Sequence, residues 1–490
     1  MTTEMFLAFC MIISEAIIIY KYEKSNYFYC GPTGDSAAYY FHFNDWASGV
    51  NRCSLAKDTK PVIPYVFFYI LRLVNNRFIY RHSYLFSLTL RYFSAIFILF
   101  FFEPNSTVEP LLIIALFFFA SPAHGTDKNC IQFVSLSPRY VHSLICSLLL
   151  LALYTKSYMT INEHFYYIVI YILSMIVLMG SYFSRQWFLF VFLPVVLLSD
   201  EVNFLVFIIL AFLCLCLSKG YRETLGNQFN QYVKTVAFDI HRIRNSVRFD
   251  RWGHSRNFLF KSTFTRIGLS NKWQVIVLVL FTFAAYSHQE LLAVAFVLCA
   301  VLVLISLKHL AWLGEAWRYS AFSLQFIFPF AILNLMAQLP EQQQSWICLT
   351  VPLVLLLKAF LIDRLPLISS NKELVSLFKG VDRCELSGCV FAVNFRNSTI
   401  AVNEGFGTRA TEFPIGALSK IDFKETFDRE RGYPFLSESY FLSVKSEVCA
   451  VIIEKDSFNR SWSKLLGSAN FTLFSDSENY ELWVPYRSLR

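Results

Sequence analysis

Charge is scarce in this chain. Only 16% of its 490 residues are Asp, Glu, Lys or Arg, against about 25% in an ordinary water-soluble domain. A chain this poor in charge is not a solvating or disordered one. Cysteine chemistry is also thin: the 12 cysteines form no CxxC pair and no Cys/His spacing of the kind that holds a metal. No Gly-rich phosphate loop, nucleophile elbow or paired histidine marks the C-terminal region. The first apolar segment lacks a basic start and a small-residue cleavage site, so it reads as a retained helix and not as a removed signal. No lipidation or retention signal stands at either end.

What is abundant is apolar surface. Hydrophobic residues make up 56% of the chain, with 52 Phe among them. They come in blocks at 5–20, 83–102, 108–121, 133–155, 164–182, 187–199, 202–218, 273–287, 290–307, 319–337 and 345–362. Continuous runs such as Leu148 to Leu153 lack the alternation of a half-buried strand. The expectation is therefore an all-α polytopic membrane protein of about 11 transmembrane helices over 1–362. It includes an interfacial loop at 21–81 and a basic loop at 219–272. A soluble α/β domain follows over 363–490. The predicted location is a membrane, crossed many times.

The 219–272 loop holds Arg242, Arg244, Arg248, Arg251, Arg256 and six further basic residues against Glu223, Asp239 and Asp250. The positive-inside rule puts it in the cytoplasm. Eleven spans from an inside amino terminus would put it outside, and one span fewer before the loop would reverse that, so the parity stays open. Apolar Phe229, Tyr232, Val233 and Val236 recur at helical spacing, which suits lying on anionic lipid as well as it suits a solvated loop. Nucleic acid is not an expected partner. In the C-terminal region, Asp382 to Phe395, Val448 to Glu454 and Tyr480 to Pro485 read as strands, with Val448 to Ile453 as a central one. Cys30 with Cys53, or Cys384 with Cys389, could pair only in an oxidising compartment. The sequons at Asn397, Asn459 and Asn470 read as chance occurrences.

The segment Gly31-Pro32-Thr33-Gly34-Asp35-Ser36 directly follows the first apolar block. Asp35 has two readings. It caps the helix that begins there, a common role for Asp after Gly. Alternatively it is a general base at the edge of a lipid-borne substrate. Beyond it, Tyr39, Phe43 and Trp46 alternate with polar Ser36, His42 and Asn44, as on a helix whose aromatic face meets lipid. Gly49 ends that element, and Lys60-Pro61 leads into a second amphipathic run.

The order Gly34-Asp35-Ser36, Tyr39, Gly49 and Lys60-Pro61-Val62-Ile63-Pro64-Tyr65 resembles the first loop of the GT-C class of membrane glycosyltransferases. Ser121-Pro122, Ser137-Pro138-Arg139, Tyr182-Phe183-Ser184-Arg185-Gln186 and Leu313-Gly314-Glu315-Ala316-Trp317-Arg318-Tyr319 are also similar to segments of that class. The resemblance implies transfer of a sugar from a polyprenyl-phosphate donor to a cell-surface glycan or its lipid-linked precursor, at a bilayer, with Asp35 as base. It also implies a bacterial inner membrane, with the 21–81 loop on the extracytoplasmic side. For the class's second acidic position the nearest candidate is Asp127, and a divalent cation stays open as cofactor. Arg139, Arg185 and Arg318 suit a departing phosphate, because guanidinium is planar and always charged. Gln186, Tyr319, Lys60 and His42 complete the candidate binding set, with Glu315 placed to pair with Arg318 one helical turn away. His142 is a further candidate for proton transfer. No protein metal ligand is assigned. The competing readings are a glycan polymerase or ligase, and a lipid or solute transporter; the absence of an internal repeat weighs against transport.

Overall fold

In a computed structural model the described residues are 3–24, 34–55, 65–73, 139–155, 163–199, 201–230, 272–287, 289–306, 317–361, 373–381, 386–412, 422–428, 435–455 and 459–486. The helices up to residue 361 are α1 (Thr3–Lys24), α2 (Gly34–Ser48), α3 (Tyr65–Arg72), α4 (Arg139–Thr155), α5 (Glu163–Leu178) and α6 (Tyr182–Trp187). A π-helical turn at Phe188–Phe192 joins α6 to α7 (Leu193–Leu198), and α8 (Val202–Leu217) follows. Next come α9 (Lys219–Asn230), α10 (Lys272–Ser287), α11 (Gln289–Ser306), α12 (Trp317–Phe322), α13 (Leu324–Gln338) and α14 (Glu341–Leu361). Helices α4 to α8 and α10 to α13 bury their apolar residues in one common core around Trp187, Phe192, Phe204, Phe281 and Phe326. Helix α1 packs along α14.

These helices correct the expected architecture. Among the described residues no single helix is long and apolar enough to cross a membrane. Helix α8 and helix α9 meet that requirement only as a pair, bent by 101°. Most apolar helices here have 15 to 18 residues, so at a rise of 1.5 Å they reach about 22–27 Å, short of a hydrocarbon core of about 30 Å. The apolar blocks are longer than the helices because breaks cut them. Gly180-Ser181 ends one before α6, and Ser323 separates α12 from α13. The two longest helices carry polar ends: Glu4, Lys21 and Lys24 on α1, and Glu341-Gln342-Gln343-Gln344 on α14. The class of about 11 transmembrane helices is therefore overturned, and with it the multi-pass inner-membrane location. The blocks at 83–102 and 108–121 lie outside the described residues. Apolar side chains nevertheless remain on the surface, among them Val206, Ile209, Leu213 and Leu217 of α8.

The C-terminal region contains β1 (Cys389–Ala392), α15 (Arg396–Asn403), β2 (Arg409–Ala410), α16 (Glu438–Val444), β3 (Val448–Glu454), α17 (Arg460–Ser468), β4 (Phe471–Asp476) and β5 (Tyr480–Pro485). The strands form one mixed sheet in the order β2-β1-β3-β5-β4. Strand β1 is parallel to both β2 and β3, and β5 is antiparallel to β3 and β4. Successive side chains of a strand point to opposite faces, and the two cores follow that rule. Val390, Ala392, Ala450 and Ile452 face α15 through Ile400 and Ala401. Phe391, Val393, Val451 and Ile453 face α16 and α17 through Phe441, Trp462 and Leu466.

Helix α2 belongs to this sheet's packing. Its Ala37 and Phe41 lie in the same core as α15. The segment after it then joins the sheet edge: Ala410 N donates to Arg52 O at 3.1 Å, Ser54 N to Ala410 O at 2.9 Å and Leu55 N to Glu412 O at 2.9 Å. Residues 52–55 thus run parallel beside β2 and cover an edge that would otherwise be an open template for another strand.

Candidate functional site

Asp35 is the second residue of α2. The turn that carries it is held from the sheet side, where Asn403 Nδ2 donates to Ala37 O at 3.0 Å. The far end of α2 is held by charge. Arg52 Nε donates to Asp45 Oδ1 at 2.5 Å, and Arg52 N donates to Asp45 Oδ2 at 2.8 Å. The same guanidinium lies 4.6 Å from the centre of the Phe41 ring, close enough for a cation–π contact. The chain reverses between the partners at Gly49, whose φ of +70° is the left-handed region that glycine enters without a steric cost.

Asp45 is only 5% exposed, and burial raises its carboxyl pKa while the Arg52 charge and hydrogen bonds oppose that rise. Replacing Arg52 with Met leaves this carboxylate buried and unpaired. Losing one partner of a fully buried pair costs about 3–5 kcal/mol, and partial exposure of Arg52 reduces that to about 2–3 kcal/mol. A denaturant midpoint measures it, and the double variant with Asp45→Asn is expected to recover most of the loss. An unchanged midpoint in the single variant would show that the pair does not hold α2.

His42 is buried beside this pair, and its imidazole pKa is lowered to about 3, first by burial and then by the Arg52 charge. It is neutral at neutral pH. The aromatic face of α2, expected to meet lipid, packs on protein instead. Phe43 is buried, with its ring 5.7 Å from that of Phe68 on α3, and Trp46 lies 5.3 Å from Tyr69. An aromatic stripe at helical spacing marks a buried face as readily as a lipid-facing one. Cys53 is a buried free thiol.

The arginine-bearing segments meet elsewhere. Helices α4, α6 and α12 pack against one another; Arg139 opens α4, Arg185 and Gln186 are on α6, and Arg318 and Tyr319 are on α12. Gln186 and Tyr319 are buried. Arg185 Nε donates to Gln228 Oε1 at 2.6 Å, and its Nη1 donates to the carbonyls of Gly180 at 2.9 Å and Leu178 at 3.3 Å. The Leu178 carbonyl belongs to the last turn of α5, which has no intrahelical donors, and Gly180 lies just beyond it. Arg185 thus ties α5 to α6 and α9. Glu315, Lys60 and Asp127 lie outside the described residues.

Polar groups line the seam between α4 and the α12–α13 junction. Ser143 Oγ donates to Ala321 O at 2.9 Å, Ser147 Oγ donates to Phe322 O at 3.2 Å, and Trp187 Nε1 donates to Ser323 Oγ at 2.9 Å. His142 lies in this seam fully buried, and neither ring nitrogen has a hydrogen-bond partner among the described residues. Burial first, and then the Arg185 charge, lowers its pKa to about 3. Gly180 lets the α5–α6 turn lie close against His142. A Cβ there would stand 2.5 Å from Ser184 Oγ, 2.9 Å from Val177 O and 3.2 Å from His142 Nε2. Gly180→Ala is expected to cost about 1–3 kcal/mol by overpacking, read as a lower melting temperature; an unchanged melt would mean the turn yields freely.

Residues 52–55, the Asp45–Arg52 pair and Asn403 escaped the sequence reading, because nothing local signals a contact with a strand some 355 positions away. Among the described residues no group of three or more His, Cys, Asp or Glu is placed to hold a metal ion. No protein-family model matches this chain, and no curated protein matches it.

Proposed function

We propose that this protein transfers a sugar from a polyprenyl-phosphate-linked donor to a hydroxyl of a glycan or its lipid-linked precursor. Asp35 is the general base. The carboxylate takes the acceptor hydroxyl proton, the acceptor oxygen bonds to the anomeric carbon, and the bond from that carbon to the phosphate oxygen breaks. The phosphate leaves with the electron pair. The observation that carries the reading is that Asp35 rides on a helix fixed near one end by Asn403 and at the other by Arg52. A base must be held in place to act on one proton, and rigid elements do this better than loops.

Two features support a donor with an apolar tail. One is the set of exposed apolar side chains on α8. The other is a cavity of about 450 Å³ between α4, α7, α11 and α13, lined by Leu150, Leu153, Val195, Leu291 and Phe326, with Ser199 and Glu201 also on its wall. Pockets for lipid-like ligands are largely apolar with a few polar groups. Purified protein, a synthetic polyprenyl-phosphate sugar and a mixture of lipid-linked acceptors provide the test. Transfer by the wild type is the expected result. Its absence with every donor and acceptor supplied overturns the proposal.

A further inference from the structure

The cavity between α4, α7, α11 and α13 has an apolar floor, an apolar rim and one charged end. Leu150, Val195, Leu291 and Phe326 on its floor are fully buried. Leu198, Leu292 and Phe296 on its rim are exposed. Ser199, which follows α7, and Glu201, which precedes α8, bring polar groups to its wall. Among the described residues that line it, Glu201 carries the only charge, and none is Lys, Arg or His.

A volume of about 450 Å³ falls within the usual range of small-molecule sites, about 300–1,000 Å³. Apolar walls give water no hydrogen-bond partners, so such a space favours an apolar ligand. The rim selects its shape. A compact ring stops at the buried floor, whereas a chain that runs on over Leu198, Leu292 and Phe296 keeps apolar contact outside it. The charged end selects the head group. A carboxylate only accepts hydrogen bonds, so an amine or a hydroxyl satisfies it, while a phosphate or a second carboxylate brings acceptors and a like charge. The positive end of the α8 dipole lies nearby, but it amounts to about half a charge against the full charge of Glu201.

We infer that this cavity is a site for a single-chain amphiphile whose head donates hydrogen bonds and carries no negative charge, with the head at Ser199 and Glu201 and the chain over the buried floor. The choice of a chain rests on the reading of a donor with an apolar tail; the head group goes beyond that reading. A donor tail in the same cavity keeps its phosphate away from Glu201, so the amphiphile competes with the donor.

Displacement of the fluorescent probe phenylnaphthylamine from the full chain by decylamine, decanol and decanoate, at neutral pH and below micelle formation, tests the assignment. Decylamine is expected to bind about tenfold tighter than decanoate, the factor for one hydrogen bond to a charged group, with decanol between them. Glu201→Lys is expected to reverse that order. Ala293 also lines the cavity, and Ala293→Trp, which fills it with an indole, is expected to abolish the binding of all three. The Glu201 variant decides the matter if the Ala293 variant does not fold. Decanoate bound as tightly as decylamine, an order unchanged in Glu201→Lys, or binding indifferent to Ala293→Trp overturns the assignment. Each arm reads binding alone. Absent transfer with this order intact counts against the transfer reaction and leaves the cavity site standing; transfer without this order does the reverse.

Discussion

Replacing Asp35 with Asn is expected to lower the rate of sugar transfer by about 10²–10⁴-fold, the usual contribution of a positioned general base. Asparagine keeps the size of the side chain, so the start of α2 should survive the change. That separates the two roles a carboxylate can have at this position. A carboxylate that only complements the helix dipole contributes about 0.3–1 kcal/mol to stability and nothing to the rate, whereas a base loses its function. Asp35→Ala should be as inactive as Asp35→Asn. Transfer at the wild-type rate by the Asn variant would remove Asp35 from the chemistry. Single-turnover rates with a radiolabelled polyprenyl-phosphate sugar, beside a melting curve for each variant, make the comparison.

Some of this molecule was readable from its residues, for physical reasons. Val448 to Ile453 is a continuous apolar run, which in a short segment means burial on both faces; it lies inside the sheet between β1 and β5. Tyr480 to Pro485 also stands as a strand at the position its alternation indicates. The apolar blocks marked where helices occur but not how far they run. Their length counts hydrophobicity, and the breaks at Gly180 and at Ser323 are made by local backbone geometry. Reading block length as helix length is what produced the membrane-spanning architecture. The partners of α2 were out of reach for a different reason. Backbone pairing of 52–55 with 410–412 has no side-chain pattern of its own, and Asp45 and Arg52 are seven positions apart across a turn that helical spacing does not describe. At the candidate site, Asp35 stands out because a carboxylate is conspicuous in a chain so poor in charge.

Stability is expected to fall steeply as the pH drops below 6.5, because two histidines are buried neutral. The folded-state pKa of His42 and of His142 is lowered to about 3, against an ordinary value of about 6.5 in an unfolded chain. Between those values the unfolded chain binds a proton at each site and the folded chain does not. Acid therefore favours unfolding, and the stability present above pH 6.5 is lost as the pH falls toward 3. Full linkage is about 1.4 kcal/mol per pH unit for each group. Integrated from pH 6.5 to 5, where the unfolded histidines are still filling, the two together cost about 3 kcal/mol. Asp45 acts in the opposite sense. Its carboxyl pKa is raised in the folded protein, so the folded state takes up a proton at a higher pH than the unfolded chain. That favours folding at acid pH and offsets part of the loss in the window just above its ordinary value. Denaturant melts across this range, followed through tryptophan fluorescence, measure the slope. His142→Gln should flatten the profile of the helical core around Trp187, and His42→Gln that of α2 around Trp46. A profile level from pH 7 to 5 in the wild type would mean that both imidazoles find a way to be charged in the folded state. His142 would then have to gain acceptors for two N–H groups in a seam that offers neither ring nitrogen a hydrogen-bond partner among the described residues.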